Sequence, residues 1–122
     1  MKRDVRIFLI DIIENIRKIE QYLDGIDEQA FLANEQMQDA VVRRIEVIGE
    51  AVKGIPLSIR KTFSDISWKE LAGMRDVLIH QYFGVNLKRV WVVVREDLPV
   101  IKDKVLKILD ELKGQDFLFN KE

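Results

Sequence analysis

The sequence predicts an all-α protein, a four- to five-helix bundle in up-down order, and three observations carry that prediction. The 122 residues suit one domain, 1–122, folded around a single core. Turn formers are scarce, with 6 Gly and 2 Pro, which argues for a few long elements and against a β-sandwich. Apolar residues recur at steps of three and four over most of the length, the spacing that lines one side of an α-helix. Hydrophobic residues at 48% beside charged residues at 34% supply both a core and a solvated surface, unlike a disordered chain.

The first helix is predicted over 5–23, where Val5, Phe8, Leu9, Ile12, Ile13, Ile16, Ile19 and Leu23 form one stripe and Gly25 is a natural stop. Asp27 can cap a short turn that runs through Phe31. A second helix over 34–53 carries Met37, Val41, Ile45, Ile48 and Val52 and ends at Gly54 and Pro56. Ser67 followed by Glu70 is a capping-box pattern in front of Leu71, opening a third helix that reaches Phe83 and Gly84. Asn86 can cap a fourth, whose apolar positions continue from Val90 to Leu112 and stop at Gly114. Pro99 falls inside it and should kink or interrupt it, because proline has no N–H and its ring crowds the preceding turn. The run WVVV at 91–94 has strand character, which the surrounding helical period outweighs.

With no Cys, disulfides and thiolate zinc sites are excluded, and one His is too few for a His-rich metal site; no metal or other cofactor is expected. No apolar run approaches the roughly 18 residues of a membrane span, and the acids in MKRDVRIFLIDIIENIRKIE are unlike a secretory leader. A cytoplasmic protein with no membrane partner is expected. A net charge of −1 counts against a generic nucleic-acid binder. The distribution is uneven, however: −4 over residues 1–40, +5 over 41–95 and −2 over 96–122. A basic middle between acidic ends can attract phosphate, and it equally fits a salt-bridged bundle surface.

Standard catalytic motifs are missing. GEAVKG at 49–54 lacks the spacing of a phosphate loop and lies in a helical stripe. Attention falls on the third helix, SWKELAGMRDVLIHQYFG, which holds the single His. At about 100° per residue, Arg75 falls in the middle of the stripe made by Trp68, Leu71, Leu78, Ile79 and Tyr82. A guanidinium there needs an acid or a partner surface, and Glu46 or Glu50 of the second helix would serve if its role is structural. Asp76 and His80 are spaced i, i+4 and share a face with Lys69 and Gly73. That pairing can orient an imidazole for general acid or base work, or be an ordinary solvated helix surface. Arg75 and His80, at i, i+5, do not stack on a regular helix; they converge if the helix deforms or if a second copy completes the site. Tyr82 returns to the Arg75 side, where a core or interface tyrosine is the plain alternative.

MRDVLIHQYFGVN, with Arg75, His80 and Tyr82 in the pattern R-x-x-x-x-H-x-Y, resembles the signature of HEPN domains of the HepT-like toxin family. The resemblance covers nearly the whole chain, through AVVRRIEVIGEAVKGIP, ISWKELAGMRD, VW at 90–91 and EDLP at 96–99 in the family's order. It implies a helical bundle that homodimerises, with the motifs of both copies lining a basic cleft. It further implies a metal-independent ribonuclease acting on RNA, possible targets being tRNA or mRNA, encoded beside a minimal nucleotidyltransferase antitoxin that transfers AMP to the motif tyrosine, here Tyr82. Arg75, Asp76 and His80 are then the catalytic residues: Arg75 to stabilise phosphorane charge, His80 to move the proton, and Asp76 to orient His80. The family often has Asn after the motif Arg, where this chain has Asp76, an acid that keeps a polar group there and adds negative charge. The alternative reading is a non-catalytic HEPN module that binds a nucleotide or a nucleotidyltransferase partner.

Overall fold

A computed structural model describes residues 4–79 and 86–114, and these are helical with short connections. Helix α1 spans Val5–Tyr22, α2 Glu28–Leu32, α3 Glu35–Lys53, α4 Leu57–Thr62, α5 Trp68–Ile79, α6 Leu87–Val92 and α7 Leu98–Gly114. A π-helical turn, Val93–Asp97, joins α6 to α7. Among the long elements α1 packs on both α3 and α7, and α3 packs on α5, while α5 meets the last part of the chain through α6. The all-α bundle predicted from the sequence is therefore what forms, with α2 and α4 as short additions. Helix α4 is not legible in the sequence.

Local chemistry sets the helix ends where the sequence places them. The side chains of Asp27, Asn34 and Asn86 accept from the backbone N–H of Ala30, Met37 and Arg89, satisfying donors that have no partner within a first turn. Gly25 takes φ = 70°, the left-handed conformation that turns the chain after α1. Residues 49–53 lie inside α3, so GEAVKG is helix, with Gly54 as its C-cap. The end of α3 is closed from outside: Arg60 on α4 donates to the carbonyls of Val52 (2.8 Å) and Ile55 (3.0 Å). This gives α4 a structural role although it has no fully buried residue.

The core is made by the predicted stripes, with Leu9, Ile12, Ile45, Ile48, Val90 and Val105 almost completely removed from water. Burying each such side chain is worth roughly 1.5–3 kcal/mol before entropy is counted. Asn15 is the one buried polar side chain among the described residues, and it is satisfied: its Nδ2 donates to Asp11 O (2.7 Å) and its Oδ1 accepts from Arg44 (3.0 Å).

At Pro99 the outcome differs from the expected break. The chain stays helical, and the turn before the proline widens, with Leu98 N–H donating to Val93 O, five residues back. In α geometry the Pro99 ring would crowd the Arg95 carbonyl and leave it without a donor; one π turn accommodates the extra residue and lets the helix continue. Arg95, in that turn, donates to the carbonyls of Leu23 and Ile26 beyond the end of α1 and stacks 4.5 Å from the ring centroid of Trp91. Trp91 in turn lies 5.4 Å from Phe31 of α2. The π turn is thereby tied to the α1–α2 corner.

Both the turn and the first cap can be tested by substitution. Arg95→Ala removes an exposed cation–π interaction and charge-assisted bonds, and should lower stability by about 1–2 kcal/mol in chemical denaturation, with a change in Trp91 emission. Asp4 caps α1 and is held below its ordinary value of 3.8, chiefly by the Arg6 side chain and then by the Arg6 backbone N–H. A carboxyl lowered by folding stabilises above its unfolded value, and that contribution fades as pH falls through the folded one. Asp4→Ala should therefore melt below wild type at pH 7, with the gap shrinking below about pH 4.

Candidate active site and adjoining cleft

Helix α5 carries the start of the motif, Arg75 and Asp76, and its placement comes from both sides. At its start Trp68 is buried and its indole N–H donates to Phe63 O (3.0 Å), while Leu71 N–H bonds to Ser67 O (2.9 Å). Along its length it lies against α3, and Gly49 is the point of close approach: a β-carbon there would sit 3.4 Å from Ala72 O. After α5, Asn86 N–H donates to Leu78 O (3.2 Å), so the chain returns to α5 before starting α6.

Arg75 and Asp76 are adjacent in α5. The Arg75 position follows buried Leu71 by four residues and precedes buried Leu78 by three, the register that the stripe predicts. The Arg75 side chain itself, and all of His80 and Tyr82, lie outside the described residues. Asp76 is exposed. Glu46 and Glu50, the acids proposed for a structural Arg75, are on α3, the helix that packs against α5. Glu50 is exposed and pairs with Lys53 at 3.4 Å.

Beside this face lies a feature the sequence does not reveal, a cleft of about 880 Å³ between α5 and the α6–α7 rod. Its floor is apolar, from Ile66, Leu71, Leu78, Val93 and Ile101. Among the described residues three cations line it, Lys69 of α5, Arg89 of α6 and Lys104 of α7, and so do three carboxylates, Asp65, Glu70 and Asp97. Lys104 donates to the backbone carbonyl of Asp65 (2.8 Å), bridging α7 to the loop before α5. Lys69 and Gly73, which helical spacing puts on the face of Asp76, both line the cleft. The motif face and the cleft are thus contiguous. Arg89, Val93, Asp97 and Lys104 are missed by sequence reasoning because they come from elements folded back onto α5. The one hint is their spacing of four, four and seven residues along the predicted fourth helix, which by itself reads as a solvated edge.

Gly73 has open space where a β-carbon would be and sits mid-helix, where glycine costs about 1 kcal/mol relative to alanine. Nothing within the described fold requires its missing side chain. Gly73→Ala should raise stability by about 0.5–1 kcal/mol in thermal or urea unfolding; a decrease would mean that the site is crowded from a direction outside this chain's described residues.

The family model for HepT-like ribonucleases matches residues 12–108, a span that includes α5 and most of the cleft. A Thermococcus cleftensis protein named "Probable ribonuclease HepT" is 44% identical over 108 residues, covering 88% of this chain and 98% of that protein. "Putative RNase MJ1216" of Methanocaldococcus jannaschii is 46% identical over 115 residues, covering 94% and 95%. Another M. jannaschii protein, "Gamma-glutamylcyclotransferase and putative RNase MJ0434", is 48% identical over 112 residues, and the chain spans 50% of its length. No solved structure matches the chain. On the family model and on identities of this size across most of the sequence, the chain belongs to the HepT-like ribonuclease family.

Proposed function

We propose that this protein is a metal-independent endoribonuclease, the cytoplasmic toxin of a toxin–antitoxin pair, working as a homodimer. The observation that carries the reading is Arg75-x4-His80-x-Tyr82 within a family match over residues 12–108. The motif begins on a helix that borders a cleft able to hold part of a ligand. Across a second copy, Arg75 and His80 can converge although one regular helix separates them by about 140°.

RNA carries its own nucleophile. The 2′-oxygen attacks the adjacent phosphorus, His80 takes the hydroxyl proton, and the bond from phosphorus to the 5′-oxygen breaks as the imidazolium so formed gives that proton to the leaving oxygen. The products are a 2′,3′-cyclic phosphate and a 5′-hydroxyl, so no water is consumed. Arg75 holds the phosphorane oxygens through its planar fork and remains charged at any relevant pH. Asp76 accepts from the imidazole and favours its protonated form. DNA has no 2′-hydroxyl and should survive.

Control by a minimal nucleotidyltransferase antitoxin fits the place of Tyr82 in the motif. The tyrosine oxygen attacks the α-phosphorus of ATP, pyrophosphate leaves, and the AMP that remains blocks the site and repels the RNA backbone. Tyr82→Phe should cut RNA and accept no AMP.

The test is incubation of the pure protein with total RNA and with tRNA in EDTA. Wild type should cleave, His80→Ala should fall by about 10²–10⁴-fold, and Arg75→Ala by about 10²–10³-fold with the fold retained by circular dichroism. His80→Ala cutting at the wild-type rate would remove His80 from the mechanism. Absence of cleavage together with AMP addition to Tyr82 would favour the non-catalytic partner module.

A further inference from the structure

We infer that the cleft between α5 and the α6–α7 rod is a nucleotide subsite, which takes a base neighbouring the cleaved linkage and selects bases that carry amino groups. This deepens the RNA-cleaving reading above and rests on it for the identity of the strand.

The size comes first. A concave space of about 880 Å³ lies in the range of sites that enclose small ligands, roughly 300–1,000 Å³, and has room for a nucleotide unit. Its apolar floor suits the face of a base, with half-buried Met74 and Ile101 positioned to pack on it. Charge narrows the ligand. Lys69, Arg89, Lys104, Asp65, Glu70 and Asp97 all line the cleft, and among the described residues none of the six forms an ion pair. Opposite charges left unpaired around one concavity fit a ligand that presents both an anion and hydrogen-bond donors. A nucleotide does so through its phosphate and the edge of its base.

The two sets of charges would then divide the work. Lysine and arginine hold phosphate without regard to sequence. Ionised carboxylates only accept, so Glu70 and Asp97 distinguish bases by their donors. Cytosine offers its N4 amino group and adenine its N6 amino group, whereas uracil offers only N3–H between two carbonyl oxygens that a carboxylate repels. The cleft also adjoins the chemistry. Lys69 is seven residues from Asp76, two turns on one side of α5 and about 10 Å along its axis. Gly73 lies between them with no side chain to obstruct a strand passing from one to the other.

The test uses the full chain and three dye-labelled hexamers, of A, of C and of U, with 2′-fluoro sugars that cannot supply the attacking oxygen. Fluorescence anisotropy at fixed salt should show the A and C hexamers binding at least five-fold more tightly than the U hexamer. Glu70→Gln combined with Asp97→Asn should bring the three within two-fold, because an amide both donates and accepts. Lys69→Ala combined with Lys104→Ala should weaken all three alike and flatten the salt dependence by about 1.4, since each phosphate that a cation neutralises on a single strand contributes about 0.7 to the slope. Melting curves within a few degrees of wild type establish that the variants fold.

Equal binding of the three hexamers overturns the inference, as does a preference that survives the double amide substitution. It also falls if Val100→Asp, at an exposed cleft position, abolishes self-association in sedimentation and leaves hexamer binding unchanged, since the cleft then belongs to a second copy of the chain. A base preference in binding without any RNA cleavage by wild type would leave the subsite standing and remove the proposed catalysis. Cleavage without a base preference would do the reverse.

Discussion

The close crossing of α5 on α3 is the constraint from which the site follows. Gly49 has no side chain, so the α5 backbone at Ala72 comes to within 3.4 Å of where a β-carbon would stand. Helix α5 is placed by this crossing and by the Trp68 anchor at its start. Both act before the motif begins. The consequence is that Arg75 and Asp76 are displayed from a helix whose position is set by packing elsewhere.

A second constraint acts from the other wall of the cleft. Pro99 cannot donate to Arg95 O, and the helix answers with one π turn in place of a break. Because the rod remains continuous, Arg89 before the turn, Asp97 within it and Lys104 after it all reach the same cleft. Arg95, from the same turn, grips the corner after α1. A single imperfect turn thus orders the cleft wall and fastens it to the first helix, without any of its residues being in the motif.

The electrostatics of the chain are best understood locally. A net charge of −1 suggests no affinity for a polyanion, yet cations from α5, α6 and α7 gather at one cleft together with three acids. A purely basic groove would bind any nucleic acid strand; a groove with both signs combines phosphate attraction with acceptors that can tell bases apart.

Sequence alone determined most of the helices and their faces, because those depend on local matters: apolar spacing, the caps Asp27 and Asn86, and the stop at Gly25; the Asn34 cap came only with the structure. It also determined the motif and, through it, the family. Helix α4 escaped because it buries no residue fully and owes its place to Arg60 reaching back to the end of α3. The π turn escaped because the penalty at a proline can be met by a break, a kink or a wider turn, and packing against distant parts of the chain selects among them. The cleft could be decided only by the tertiary structure: Lys69, Arg89 and Lys104 are separated by long stretches of sequence, and no local pattern encodes that three separate helices turn the same charge toward one space.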